Sequence, residues 1–205
     1  LRRSEETLSA LLATYDRGQL MKQGVPTVLL GKPNVGKSSL LNALLGYDRA
    51  IVTDVAGTTR DTVEEKLALG HVLLRLTDTA GIRESGDAVE RLGVARSRAA
   101  AERAALAILL LDGSAPPDEQ DEEAIAVAES VPYRLVVVNK SDLPRRADIA
   151  ALTARFGHVL SVSAKTGEGV AALGEAIAAL FPAGTQAQGQ LLTNARQADA
   201  VRRAL

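Results

Sequence analysis

Residues Gly31-Lys32-Pro33-Asn34-Val35-Gly36-Lys37-Ser38 form a complete G-x-x-x-x-G-K-S, and this string tolerates one local architecture. The apolar run Val28-Leu29-Leu30 enters it as a buried strand, and Ser38 to Leu45 leaves it as a helix. Glycine lets successive backbone N–H groups curl around phosphate oxygens, and the helix's first turn adds the positive end of its dipole. Lys37 can reach β- and γ-phosphates, and the Ser38 hydroxyl can hold Mg²⁺. Asn34, Val35, Gly36 and Ser39 complete the phosphate-facing stretch. An ordinary glycine-rich turn shares this composition but not the spacing between a strand and a helix. The motif selects a nucleotide and is silent about the base.

The rest of the chain repeats that strand-to-helix rhythm. Thr62 to Leu69 and His71 to Thr77 flank Gly70 as a hairpin, and Val89 to Ala105 has helical character. Ala107 to Leu111 reads as a strand, with Ile125 in the next helix. Leu135 to Val138 follows as a strand, Ala147 to Phe156 as a helix, Val159 to Val162 as a strand and Val170 to Leu180 as a helix. Such alternation predicts an α/β fold, a three-layer sandwich on a mostly parallel sheet with one antiparallel strand from the hairpin. With 46% hydrophobic but only 2% aromatic residues, its core must be aliphatic. Outside this unit, Leu8, Leu11, Leu12 and Tyr15 lie at helical spacing, as do Ala198, Val201 and Leu205. The expected segments are 1–22, a nucleotide-binding domain at 23–182, a Gly-, Ala- and Gln-rich linker at 183–190, and 191–205.

Two further strings name the base. Asn139-Lys140-Ser141-Asp142 closes a strand at the carboxyl edge, where open sheets bind ligands. The Asp142 carboxylate can accept from both N1–H and the 2-amino group of guanine, donors that adenine lacks. Asn139 can meet the Hoogsteen side, the Lys140 stem can cover a base face, and Ser163-Ala164-Lys165 can offer a backbone N–H to O6. Their order after a P-loop points to a guanine nucleotide, GTP or GDP.

The γ-phosphate sensors lie between these strings. Asp78-Thr79-Ala80-Gly81 can hold Mg²⁺ through water with Asp78 and meet the γ-phosphate with the Gly81 N–H. In Gly57-Thr58-Thr59-Arg60-Asp61, a threonine hydroxyl, that of Thr59, can bind Mg²⁺ only while a γ-phosphate is present, which makes the loop a switch. Ile82 stands where Ras-type enzymes carry a water-orienting glutamine. Arg83, Glu84, Asp87 and Glu90 are nearby polar candidates for that task, and spacing does not choose among them.

Several classes are disfavoured. The 24 basic and 25 acidic residues give a net charge of -1, so a whole-chain nucleic-acid footprint is absent. Arg2-Arg3 and Arg202-Arg203 read as solvated helix charges. Without cysteine there is neither disulfide nor thiolate metal site. His71 reads as a hairpin-turn residue and His158 as a strand-edge residue, with no ligand-like partners at metal spacing. No apolar run approaches the ~20 residues of a membrane span, so a cytoplasmic protein without a membrane partner is expected. The start at Leu1 suggests an excised fragment.

Longer strings carry a family resemblance. Gly31 to Ser38 with Asn34 inside, Ala50-Ile51-Val52-Thr53-Asp54-Val55-Ala56-Gly57-Thr58-Thr59-Arg60-Asp61, and Asp78-Thr79-Ala80-Gly81-Ile82-Arg83-Glu84 resemble TRAFAC-class bacterial GTPases. Within that class they resemble the MnmE (TrmE) family of tRNA-modification GTPases, and Leu192-Thr193-Asn194-Ala195-Arg196 is similar to the point where that family's helical domain resumes. The resemblance implies a P-loop GTPase fold for 23–182, flanked by helical-domain remnants at 1–22 and 191–205. The family's folate-binding domain and its Cys-Ile-Gly-Lys motif are missing from the chain. GTP hydrolysis is therefore expected, and tRNA modification by this chain alone is not.

The resemblance also implies a mechanism. Glu90 matches the family's catalytic glutamate, acting through a bridging water, and Arg83 is a secondary candidate for positioning the switch. A bound K⁺ replaces an arginine finger, with Asn34 as its P-loop ligand and Thr53, Val55 and Thr58 in the loop that wraps it. G domains are expected to dimerise in the activated state, and the intact protein to work with an FAD-dependent partner on tRNA. The alternative is a GTP-sensing module, or a ribosome-assembly GTPase resembling Era or Der, with little intrinsic hydrolysis.

Overall fold

The computed structural model describes residues 2–46, 50–52, 65–77, 97–183 and 195–204. In chain order the elements are α1 (Arg2–Gln23), β1 (Val25–Leu30), α2 (Lys37–Leu45), β2 (Ala50–Val52), β3 (Glu65–Leu69) and β4 (Val72–Leu76). They continue as β5 (Leu106–Asp112), α3 (Glu119–Glu129), β6 (Tyr133–Asn139), α4 (Ile149–Phe156), β7 (Val159–Ser161), α5 (Val170–Leu180) and α6 (Ala195–Ala204). Residues 97–101 are also helical.

Among the described residues the strands form one seven-stranded sheet in the order β2-β3-β4-β1-β5-β6-β7. Only β3 runs against its neighbours, pairing antiparallel with both β2 and β4. Strand β1 lies parallel between β4 and β5, with Thr27 opposite both Leu76 and Leu106. The chain thus leaves β1 toward one edge and later passes to its other side, which places a topological switch point at the end of β1. The P-loop occupies that point.

Side-chain alternation explains the three layers. Leu106, Ile108 and Leu110 of β5 and Leu135 and Val137 of β6 enter a core shared with Leu40, Leu41 and Leu44 of α2 and Val170, Leu173 and Ile177 of α5. The intervening Ala107, Leu109, Leu111, Val136 and Val138 enter the opposite core with Ile125 of α3 and Leu152 of α4. Strands buried on both faces read as unbroken apolar runs, whereas β3 and β4 bury only alternate residues. Burial of each such leucine contributes about 1.5–3 kcal/mol. The aromatic contribution is small, as composition requires: Phe181 is buried, with its ring 5.1 Å from that of Tyr133.

Several boundaries depart from the sequence expectation. Strand β2 was not anticipated, because three residues on an edge give no periodic signal; pairing with 67–69 defines it. The helix expected to run to Ala105 ends at 101. Its last turn tightens through bonds from the Arg103 and Ala104 N–H groups to Ala100 and Ala101, and the Ala105 N–H goes to Pro26 O at 2.8 Å. A backbone donor claimed by β1 cannot continue a helix. Helix α4 starts at Ile149 rather than Ala147, since Asp148 caps it by accepting from Ala151 N at 3.0 Å. His71 lies in the β3–β4 turn, and its Nε2 is also 2.7 Å from Phe181 O. His158 is exposed directly before β7. Arg202 is exposed, as expected of a helix charge, and on the side where α6 lies beside α1 it pairs with Asp16 at 2.5 Å.

Candidate guanine-nucleotide site

The P-loop is shaped by positions at which only certain backbones fit. Gly31 has φ 143, and a Cβ there would collide with Leu110 O of β5. Gly36 has φ 102, and a Cβ there would collide with Asn139 Nδ2. Asn34, between them, is left-handed at φ 59, a region asparagine tolerates better than most residues. Val35 is fully buried and anchors the loop from below. The Leu40 N–H to Gly36 O bond of 2.8 Å then starts α2, which leaves its preceding N–H groups facing the loop's concave side.

Lys37 closes the loop from within. Its Nζ donates to Gly31 O at 2.6 Å and Lys32 O at 2.8 Å, and burial pushes its pKa below the ordinary lysine value. The ammonium is therefore tethered to two carbonyl oxygens of its own loop. Ser38 and Ser39 stand in the first turn of α2, Ser38 half-buried and Ser39 exposed. The Asn34 side chain is exposed and makes no hydrogen bond among the described residues.

Lys32 was not singled out by sequence, yet it is strongly held. Its Nζ lies 2.8 Å from Asp118 Oδ2 and 2.7 Å from Asp121 Oδ2. Burial works against its charge, but the bonds and charges of the two carboxylates prevail and raise its pKa. The same aspartates form the capping box of α3, with Asp121 N 3.1 Å from Asp118 Oδ1 and Asp118 N 3.1 Å from Asp121 Oδ2. The available signal was Asp118-x-x-Asp121 ahead of a helix, which reads as a cap and says nothing of a distant lysine.

At the base end, side chains carry the architecture. Asn139 is buried; its Nδ2 donates to Val35 O at 2.8 Å, and its Oδ1 accepts from Ala164 N at 2.9 Å. One carboxamide thus joins the P-loop, β6 and the loop after β7. Asp142 is exposed, and its Oδ1 accepts from the Ser163 hydroxyl at 2.7 Å. The buried Ser163 Oγ in turn accepts from Thr166 N at 3.2 Å. Lys165 is exposed beside them. Lys140 has φ 67, and its Nζ reaches Asp112 Oδ2 at 2.6 Å. Burial alone would raise the Asp112 carboxyl, yet bonds from Lys140 and Ser114 hold it below the ordinary carboxylate value.

The structure brings Asn34, Val35, Gly36, Lys37, Ser38, Asn139, Lys140, Asp142, Ser163, Ala164 and Lys165 to the carboxyl edge of one sheet. Thr53, Val55, Thr58, Thr59, Asp78, Gly81, Arg83, Glu84, Asp87 and Glu90 lie outside the described residues. Among the described residues no cluster of three or more His, Asp or Glu side chains could hold a metal ion, and no helix is long and apolar enough to cross a membrane.

Residues 27–140 match the family model described as a 50S ribosome-binding GTPase. The chain is 48% identical over 211 residues to a tRNA modification GTPase MnmE of Roseiflexus sp. (strain RS-1), covering 97% of this chain and 45% of that protein. It is 43% identical over 203 residues to the MnmE of Sulfurovum sp. (strain NBC37-1), covering 98% of this chain and 44% of that one. The chain therefore spans about half the length of the curated relatives it matches. Among solved structures, Era in complex with MgGDPNP and part of 16S ribosomal RNA is similar at TM-score 0.57 and 28% identity, over 77% of this chain and 57% of that one. The G domain of the T. maritima FeoB iron transporter is similar at TM-score 0.52 and 27% identity, over 75% of this chain and 96% of that one.

Proposed function

The chain belongs to the GTPase family described as 50S ribosome-binding GTPases and is a GTP-hydrolysing P-loop domain; on that premise we propose that it is the G domain of an MnmE-type tRNA-modification GTPase, stimulated by K⁺. The observation that carries this reading is the likeness to MnmE sequences at 48% and 43% identity along 97% and 98% of the chain. In the proposed arrangement 23–182 is the G domain and 183–190 a linker. Segments 1–22 and 191–205 belong to a helical domain, a division supported by the Arg202–Asp16 pair between α1 and α6.

Substrate binding follows from the site's chemistry. The P-loop N–H groups and Lys37 neutralise the β- and γ-phosphates, and Asp142 reads the guanine edge. Mg²⁺, a hard cation, would be held by the Ser38 hydroxyl with Thr59, and by Asp78 through water. For K⁺ the exposed, uncommitted Asn34 carboxamide offers a neutral oxygen of the right kind, with Thr53, Val55 and Thr58 completing the set. A monovalent cation held there would supply positive charge between the β- and γ-phosphates, the place an arginine finger takes elsewhere. Glu90 positions the attacking water, and Arg83 orders the switch. G domains pair across their nucleotide faces in the activated state, and the intact protein acts in the cytoplasm on tRNA with an FAD-dependent partner.

Steady-state phosphate release in KCl and in NaCl tests this reading. K⁺ should raise the rate more than about tenfold, and Asn34→Ala should remove the difference. Glu90→Ala should keep GTP affinity while slowing turnover, since a water-positioning group acts in the transition state. A dimer should form in K⁺ with GDP and aluminium fluoride, and not in Na⁺. Indifference of rate and association to the cation would overturn the K⁺ mechanism. Negligible hydrolysis in both salts would favour a GTP sensor that acts by controlling a partner.

A further inference from the structure

Beyond the strings that contact nucleotide, the turn Asp112-Gly113-Ser114 at the end of β5 is built into the base end of the site. Its carboxylate is fully committed: Oδ2 takes the Lys140 ammonium at 2.6 Å, and Oδ1 takes the Ser114 N–H at 2.9 Å and the Ser114 hydroxyl at 2.6 Å. Its backbone grips the loop that follows β6 from both ends. Gly113 N donates to Asn139 O at 2.9 Å, and Gly113 O accepts from Arg146 N at 2.8 Å and Ala147 N at 3.2 Å. The approach leaves no room for a side chain, since a Cβ on Gly113 would stand 2.8 Å from Asn139 O and from Val138 Cγ1. Register makes this possible, with Asp112 and Asn139 directly opposite in the β5–β6 pair.

We propose that Asp112 is a positioning residue for the guanine base, holding the Lys140 ammonium so that the lysine stem is presented to the purine face. This rests on the reading that 139–142 and 163–165 hold guanine. A lysine at φ 67 is disfavoured by itself, and its head would otherwise sample solvent or the phosphates. Backbone bonds from Ser141 N to Val162 O and from Leu143 N to Lys140 O, both 3.0 Å, hold the turn, and the ion pair at 2.6 Å fixes the head, which leaves the apolar methylenes as the part of Lys140 available to a ligand. A contact with a base face is blind to the base's edge, so Asp112 governs how long a nucleotide stays while Asp142 governs which one is chosen.

The test is dissociation of a fluorescent GDP analogue from the full chain, followed by stopped flow, with thermal unfolding measured alongside. Asp112→Asn places an amide against the ammonium and should speed dissociation about tenfold, the scale of a charge-assisted hydrogen bond. Lys140→Met keeps an apolar stem without the ammonium, and adding Asp112→Asn to it should speed release no further. Tenfold acceleration by Asp112→Asn in the Lys140→Met background as well, or none in the wild-type background, would overturn the proposal. Should Asp112→Asn fail to fold, Ser114→Ala loosens the same carboxylate. It should give a smaller acceleration that vanishes with Lys140→Met, and unchanged release would again overturn the role. A wild-type chain with no preference for GDP over ADP would instead defeat the guanine reading beneath it.

Discussion

At the phosphate end the backbone does the shaping: Gly31 and Gly36 hold φ values of 143 and 102, and Lys37 is held by two carbonyl oxygens of its own loop. At the base end, side chains from distant parts of the chain do it, through Asn139 with Val35 and Ala164, Lys140 with Asp112, and Asp142 with Ser163. A backbone solution has to be written locally, because only particular residues admit the required φ and close approach. A side-chain solution can recruit partners from anywhere the sheet brings near. The first kind leaves a motif in the sequence, and the second leaves only its ligand-facing half.

Substitutions at the two ends should fail differently. The largest effect is expected at Gly36→Ala, where the methyl group is driven into Asn139 and the backbone is left-handed. GDP affinity by calorimetry should fall about 100-fold or more, as overpacking and backbone strain add. A variant that binds GDP as tightly as wild type would break the claim that the backbone dictates this end. Asp142→Asn comes next, with a loss of GTP affinity above about tenfold and a gain for xanthosine triphosphate, because the N1–H and 2-amino donors of guanine lose their acceptor. Equal GTP affinity would remove Asp142 from base reading. The smallest effect sharpens the comparison at its exception, the side-chain pair that anchors the P-loop through Lys32. Asp118→Ala removes one of two carboxylates and the cap of α3, while Asp121 keeps Lys32 at 2.7 Å. The melting temperature should drop by about 2–4 °C, with GDP affinity within about twofold. A large affinity loss would show that the phosphate end also depends on remote side chains.

This contrast explains what could be read in advance. The layered sheet was legible, because β5 and β6 are unbroken apolar runs and α5 keeps its period from Val170 to Leu180. The strings at 31–38, 139–142 and 163–165 stand out in the sequence because their residue types sit at fixed spacing after strands, and the structure brings them to one sheet edge. Asp112 and Ser114 carry no such signal, since an aspartate and a serine after a strand look like any turn. Lys32 lies 86 residues from Asp118, and no local pattern links them. Boundaries failed where tertiary bonds outbid propensity, as when Pro26 takes the Ala105 N–H from the helix before it.

Asn139 carries a further consequence. Its amide nitrogen is fixed to the buried base of the P-loop at Val35 and its oxygen to the loop of Ala164, with Gly36 pressed against it. A rigid planar group bonded at both edges has no slack to absorb relative motion. The P-loop at Val35 cannot move away without carrying the loop of Ala164 along or breaking one of those bonds. Release of a bound nucleotide is therefore expected to disturb both ends of the site together.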